Sequence, residues 1–336
     1  MATAGHEKRE ESEFVFDREK ALKELDEFGY TVVPNVITEE QCDEYISEYK
    51  SWLQQWKDAG TWPKIKNSLI QKYSIAYFTT TWKARLQTKK VFAELWQTEK
   101  LLTSTDAVAI GQPPEQNGML PFNEEGVHWL HIDQGARRKG LHCYQGSLYL
   151  EETTETDHCF RVLERSHKYH DEFFEAFGNT RGVAMRSDFV RLQDDKVDWF
   201  IGQGCSRRKV TCPKGSLLLW DSRTVHDNVS PENGRPHKDR WRFMVIVCMT
   251  PAIWATLADR ELKRKANREL QVTAHWSSQG VRLFHDSNCD PPTSVRKLKK
   301  MPKIGQTREA KLLMGVENYD FEDGESNGPD WRPVWA

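Results

Sequence analysis

The sequence predicts a mainly β fold, a sandwich or barrel of short strands flanked by helices. Three observations predict it. Strand-like runs recur between Gly, Pro and Asn turn signals from Thr103 to Met249. Helical patterns precede and follow that region, where they can cover the outer face of a sheet. The chain has 336 residues, 38% of them hydrophobic, with 13 Trp and 15 Phe. That is long for one ordinary domain, but within reach of an all-β core with helical additions.

Residues 1–16 are polar and read as a flexible N-terminal segment. Asp17 can cap a helix that ends at Gly29, with Leu22, Leu25 and Phe28 at helical spacing. Tyr30 to Pro34 reads as a short strand. Thr38-Glu39-Glu40-Gln41 is a capping-box pattern opening a helix to Trp56. Its stripe of Tyr45, Tyr49, Trp52 and Trp56 reads as packing against a sheet. Residues 60–81 look irregular, and Thr88 to Thr98 helical. Strands are expected over Thr103–Gly111, Val127–Asp133, Tyr144–Glu151, Cys159–Leu163, Arg207–Cys212 and Ser216–Trp220. A further strand begins at Val225-His226, and the strongest runs from Arg240 to Met249. Between them, Pro113 to Gly126 reads as a loop that is either a lid or an ordinary surface loop. Ser166 to Phe177 and Thr256 to Leu270 read as helical, while residues 178–206 give no clear pattern. No linker interrupts residues 17–285, which are taken as one domain. A polar C-terminal extension, 286–336, carries a basic run at Arg296–Lys300 and an acidic end at Asp320–Glu325.

The chemistry centres on Val127–Asp133, read Val-His-Trp-Leu-His-Ile-Asp. Residues two apart on a strand share a face, so His131 and Asp133 aim an imidazole and a carboxylate at one point. These are two members of a 2-His-1-carboxylate triad, which holds non-haem Fe(II) and leaves positions open. The candidate third ligand is His226, at the end of Gly215–His226. In a jelly roll, strands distant in sequence lie side by side, so the separation is compatible with one pocket. With 11 histidines in the chain, roughly one His-x-Asp is expected by chance. A second one, His237-Lys238-Asp239, falls in a Pro/Gly/Asn-rich turn. Taken alone, His131 reads equally as a half-buried strand histidine. An oxoacid bound to such an iron needs a cation for its far carboxylate, best a guanidinium. Arg240 and Arg242 share a face on the strand after His226 and are the candidates. Each also reads as a strand-edge arginine paired with a surface acid.

Net charge is −2, which argues against a general nucleic-acid or membrane-surface binder. The longest apolar run, Phe243 to Met249, is too short to span a membrane. The seven Cys are scattered without a C-x-x-C, as in a reducing compartment. No apolar signal segment is visible, so a cytoplasmic protein is expected. Oligomeric state is not legible.

An ordered set of segments resembles the phytanoyl-CoA dioxygenase-like family of Fe(II)/2-oxoglutarate-dependent oxygenases. Phe28 to Val36 with the Glu39–Tyr49 helix resembles its N-terminal region, and His131-Ile132-Asp133-Gln134 its His-x-Asp motif. Tyr144 to Leu148 resembles the next strand, and Arg165-Ser166-His167 its Gly-Ser-His turn. Pro213-Lys214-Gly215 with Leu219 to His226 resembles the distal-histidine segment, and Arg242 to Val245 the arginine-bearing strand. The match covers residues 20–255. The resemblance implies a double-stranded β-helix in which His131, Asp133 and His226 bind Fe(II) and Arg242, rather than Arg240, binds 2-oxoglutarate. It places Gln145 on the co-substrate pocket wall, where a surface strand glutamine is the equal reading. The implied reaction consumes O2 and 2-oxoglutarate, hydroxylates a small-molecule substrate, and releases succinate and CO2. Trp129 and Trp220, near the ligands in sequence, either help exclude water or are plain core residues. Two stretches depart from the family: Asp157-His158-Cys159 stands where it has Asp-Gly-Gly, and Glu164-Arg165 where it has Pro-Gly. An acyl-CoA substrate is therefore not carried over. Rival readings are a nucleic-acid base oxygenase using the basic stretches Ala136–Gly140 and Arg207–Lys209, a non-catalytic binding protein, and a cupin-like metalloenzyme that uses no oxoacid.

Overall fold

A computed structural model describes residues 14–118, 120–178, 187–285 and 289–336 of the chain. Residues 1–13 of the expected flexible segment, and the expected boundary at Asp286, lie outside the described residues. The helices are α1 (Arg18–Phe28), α2 (Glu39–Asp58), α3 (Thr79–Trp96), α4 (His170–Phe177), α5 (Asp194–Gly202), α6 (Leu257–Glu269) and α7 (Arg308–Leu313). The strands are β1 (Tyr30–Val33), β2 (Leu69–Ile70), β3 (Leu101–Thr103), β4 (Val108–Gly111), β5 (His131–Ile132), β6 (Arg138–Lys139) and β7 (Tyr144–Tyr149). They continue with β8 (Cys159–Glu164), β9 (Val190–Arg191), β10 (Ser206–Val210), β11 (Leu217–Asp221), β12 (His226–Val229), β13 (Arg242–Pro251) and β14 (Val334–Trp335).

Two antiparallel sheets build the core. The larger runs β1-β11-β7-β13-β4-β2, with β3 also on β13; the smaller runs β10-β8-β12-β5-β9. Side-chain alternation sorts β13 into two faces. Phe243, Val245, Val247 and Met249 pack with Tyr49, Trp52 and Phe92 of the helices α2 and α3. Met244, on the other face, joins Phe160 and Val162 of the smaller sheet and Leu218 and Trp220 of the larger. Arg242 shares the face of Met244 and so points between the sheets. Strands covered on both faces read as continuous apolar runs, as β11 does with Leu217 to Trp220; β7 is buried throughout as well but carries Gln145 and Ser147.

Local signals place the helices. Asp17 accepts from the Lys20 amide, and Gly29 closes α1 with φ 90°, a left-handed turn that glycine adopts without strain. Both hydrogen bonds of the Thr38–Gln41 capping box form. Helix α3 begins nearer the N-terminus than the expected Thr88. Its first turn has no side-chain cap, and Thr80, Thr81, Trp82, Ala84, Arg85 and Thr88 are all buried, so the extra turns show no polar stripe. The strand expected over Val127–Asp133 shrinks to the two residues of β5. There the Trp129 amide donates to Asp227 Oδ2 (3.0 Å) and the Leu130 amide to His128 Nδ1 (3.3 Å). Side chains thus satisfy backbone donors that a longer ladder would have paired. The patternless stretch at 178–206 holds β9 and α5.

The C-terminal segment is built into the fold. Val295 and Leu313 join the main core, Lys100 Nζ pairs with Asp323 (2.5 Å) and donates to Asn327 Oδ1 (2.9 Å), and β14 pairs with β6. Within that pair Arg138, opposite Trp335, is 1% exposed. Its guanidinium donates to both Asp188 oxygens (3.0 and 3.2 Å). Its carbon lies 3.4 Å from the ring centre of Trp276 and 4.0 Å from that of Trp335. Removing one partner of a buried pair strands the other charge, at a cost of about 3–5 kcal/mol. Arg138→Ala is expected at the lower end, because Arg282 also reaches Asp188 (3.0 Å); chemical-denaturation midpoints measure it. No helix among the described residues is long and apolar enough to cross a membrane.

Candidate metal centre

Strands β5 and β12 pair directly, with His131 opposite His226. The bend after β5 brings Asp133 back to the same point. One ligand atom from each of the three lies within 4.8 Å of the others. His131 Nε2 is 3.6 Å from Asp133 Oδ1, and His226 Nε2 is 3.6 Å from Asp133 Oδ2. Each imidazole is oriented from behind. His131 donates Nδ1–H to the Trp129 carbonyl (3.2 Å) and His226 donates Nδ1–H to the Thr224 carbonyl (2.9 Å). This arrangement fixes the tautomer that leaves Nε2 free as a lone-pair donor.

Charge states suit a cation. Burial, then the neighbouring His131, pushes His226 down to about 4, so it is neutral at pH 7, as a ligand must be. Burial opposes ionisation of Asp133, but His131, His275 and His226 outweigh it and hold the carboxyl well below its ordinary range. Gln145 Nε2 donates to Asp133 Oδ2 (3.2 Å). Trp129 stacks on the His131 ring (4.7 Å, 14°), Phe189 tilts against it (4.9 Å), and Phe160 and Trp220 pack on His226 (5.3 and 5.2 Å). Trp129 and Trp220 thus both touch ligands.

The two arginines part company. Arg240 pairs with Asp157 (2.9 Å) and with Glu152, on the periphery beside the Arg235–Asp157 pair (2.8 Å). Arg242 is 1% exposed between the sheets. Its Nη2 donates to Asn228 Oδ1 and to Met244 Sδ (3.1 Å). Its Nε and Nη1 are buried without a hydrogen-bond partner among the described residues. So are Ser147 Oγ and Tyr149 Oη, which share a strand face with Gln145. The Tyr149 hydroxyl lies beside the guanidinium without meeting hydrogen-bond geometry. Gly111 makes room here: a Cβ on it would stand 3.2 Å from Arg242 Cβ and 3.0 Å from the His158 ring. Buried donors are normally satisfied. This cluster of unpaired donors between the two sheets therefore fits a ligand rich in acceptors.

A cleft of about 700 Å3 leads inward, lined among others by Trp62, Phe122, Trp129, His158 and Asn228. Leu120 to Glu124 of the expected loop form part of its wall. The other His-x-Asp, His237–Asp239, sits in a turn where Asp239 accepts from Gln116 (3.2 Å). In the basic stretches, Lys139 pairs with Asp171 (3.0 Å) and Lys209 with Glu232 (2.5 Å), and Arg138 is buried as described.

Several residues of the site escaped the sequence reading. Ser147 and Tyr149 follow from Gln145 by alternation alone. Asn228 follows from His226 in the same way. Phe189 stands in no motif, and only the fold brings it onto the His131 ring.

The model of the phytanoyl-CoA dioxygenase family matches residues 25–233. Ava biosynthesis cluster protein O of Aspergillus versicolor is 27% identical over 286 residues, 78% of this chain and 89% of that protein. Two solved structures share the fold at low identity. GlcNAc Inducible Gene 2 of Candida albicans superposes with a TM-score of 0.62 at 13% identity, covering 93% of this chain and 80% of that one. A hypothetical protein from Escherichia coli gives 0.56 at 11% identity, covering 89% and 81%.

Proposed function

Because the chain belongs to the phytanoyl-CoA dioxygenase family of Fe(II)/2-oxoglutarate-dependent oxygenases, we propose that it hydroxylates a small molecule on a double-stranded β-helix. Its residues 131, 133 and 226 would hold the iron. In the overall reaction a substrate C–H, O2 and 2-oxoglutarate become a substrate C–OH, succinate and CO2. The observation that carries this reading is the pairing of the triad with a buried, half-unpaired guanidinium. A metal-only site has no use for such a cation, whereas a dicarboxylate co-substrate would bring a carboxylate for Arg242 to pair. The biosynthesis-cluster name of the 27% identical relative supports a small-molecule substrate over a nucleic acid.

Bound iron would supply an electron-rich centre that chelates the oxoacid and activates O2. The chain's own residues do the rest. The Trp129 and Thr224 carbonyls orient the two imidazoles, and Gln145 orients the carboxylate. Arg242 charge-pairs the far carboxylate of 2-oxoglutarate, with Ser147 and Tyr149 as further hydrogen-bond donors. Trp129, Phe160 and Trp220 keep water from the ligands. Substrate arrives through the cleft beside Trp62 and Phe122.

Anaerobic titration of the protein with Fe(II) and then 2-oxoglutarate tests the reading. A visible metal-to-oxoacid charge-transfer band is the expected result, and its absence in wild type would count against an oxygenase. Arg240→Ala is expected to leave the KM for 2-oxoglutarate within about twofold. It should lower stability by about 0.5–3 kcal/mol, because it breaks an ion pair with the buried Asp157.

A further inference from the structure

Three rings crowd the imidazole of His131: Trp129, Phe189 and His226, with ring centres 4.7, 4.9 and 4.3 Å away. Two of them have anchors of their own. Trp129 Nε1 donates to the Asn228 carbonyl (2.8 Å), and His226 Nδ1–H to the Thr224 carbonyl. Phe189 has no polar atom on its ring and is 51% exposed. Apolar hold scales with the area removed from water, so burial alone fixes this ring poorly. The chain on either side fixes it instead. After it, Val190 and Arg191 pair with Ile132 and His131. Before it, Asp188 is 8% exposed, and its two oxygens take the fork of Arg138 at 3.0 and 3.2 Å. Gly135 lets the two segments approach, since a Cβ on it would strike the Ser187 carbonyl and stand 3.1 Å from Asp188 Cα.

Residues 334 and 335 hold Arg138 in turn. The Trp335 ring centre lies 4.0 Å from the guanidinium carbon. His142 donates Nε2–H to the Val334 carbonyl (3.0 Å), which leaves its Nδ1 to accept from Arg138 Nη1 (3.3 Å). The β14–β6 pairing and the Ala336 amide on the Arg137 carbonyl (2.8 Å) keep both contacts in register. A planar guanidinium that stacks on an indole and forks a carboxylate has little freedom to turn. Arg282 also reaches Asp188 (3.0 Å), but its side chain is 55% exposed, where an ion pair contributes little. Contacts therefore run without a break from Trp335 to Arg138, Asp188, Phe189 and the ring of a metal ligand.

We infer that Trp335 and Arg138 are positioning residues for the metal centre: they hold Asp188, and through it keep the Phe189 ring against His131, so that the imidazole meets the ion in one orientation. The inference rests on the metal-centre reading and adds to it a segment that lies beyond residues 25–233 of the family match. Partners that orient metal ligands are each worth about 10–100-fold in metal affinity or activity. Trp335 acts through two further residues, so its share is smaller.

The test follows iron retention in the full chain. Protein loaded with Fe(II) under argon is mixed with an excess of a coloured ferrous chelator, and the rate of iron loss is read from the colour. Phe189→Ala is expected to lose iron about tenfold faster. Trp335→Ala, which removes one cation–π contact, is expected to lose it about threefold faster or more, and Trp335→Phe, which keeps an aromatic face, to recover most of the difference. In Phe189→Ala/Trp335→Ala the two effects do not multiply, because both act through one ring. Trp331→Ala is the control. Its ring packs on Trp96 (6.2 Å) and Trp254 (5.2 Å), in the same segment but outside this run of contacts, and iron loss there stays at the wild-type rate. Melting of the chelated proteins records the structural cost of each change separately. A purely structural role would make Trp331→Ala and Trp335→Ala lose iron in proportion to their drop in melting temperature, and that result overturns the inference. So does a wild-type rate in Trp335→Ala or in Phe189→Ala, or full multiplication of their effects in the double variant. Wild type that holds iron but shows no charge-transfer band with 2-oxoglutarate removes the oxygenase reading and leaves this one to the chelator. Wild type that holds no iron removes both.

Discussion

Asp133→Ala is expected to abolish the charge-transfer band and all 2-oxoglutarate turnover. Asp133 is the only anionic member of the triad, and its two oxygens lie 3.6 Å from the two imidazole nitrogens. Without it, two imidazoles face a dication in a site where no further His, Cys, Asp or Glu joins the cluster among the described residues. Outer partners of metal ligands are each worth about 10–100-fold in affinity or activity, so loss of a ligand should exceed about 100-fold. The measurement is anaerobic Fe(II) titration, with circular dichroism to show that the fold survives. Near-normal iron affinity in Asp133→Ala would mean that the metal sits elsewhere.

Arg242→Ala should leave iron binding in place and raise the KM for 2-oxoglutarate steeply. The side chain is fully enclosed, and two of its three nitrogens await a partner. Truncating one side of a buried charge pair costs about 2–5 kcal/mol, which at 1.4 kcal/mol per tenfold is about a 30-fold rise or more. Arg242→Lys keeps the charge but loses the planar fork, so it should fall between the two. An unchanged KM in Arg242→Ala would favour a metalloenzyme that uses no oxoacid, since nothing else would then require the cation.

The elements legible in the sequence were those whose signal is local. The cap at Asp17, the box at Thr38–Gln41 and the apolar runs of β11 and β13 each depend on residues a few positions apart, and they formed where expected. The triad was legible for a similar reason. His131 and Asp133 are near neighbours, and a single distal histidine completes the set. The rigid strand invoked to aim them was less accurate: β5 is two residues long, and a bend held by the Gln134 side chain (Nε2 to the Gly140 carbonyl, 2.6 Å) follows it. The first turns of α3, before Thr88, hid because burial on nearly every side erases amphipathic period. The role of the C-terminal segment hid because polar composition says nothing about where a chain is clamped. Arg138 read as part of a basic surface stretch, and its burial between two tryptophans depends on residues far along the chain.

The direct pairing of residue 131 with residue 226 has a consequence for heat resistance. An ion gripped by both histidines staples shut a loop of more than a quarter of the molecule, which the unfolded chain must leave open. Any species that binds only the folded form raises its stability, by about 2.7 kcal/mol at a free concentration one hundred times its dissociation constant. Chelated protein should therefore melt several degrees below protein supplied with ferrous ion under argon, and Asp133→Ala should melt at the same temperature in both buffers.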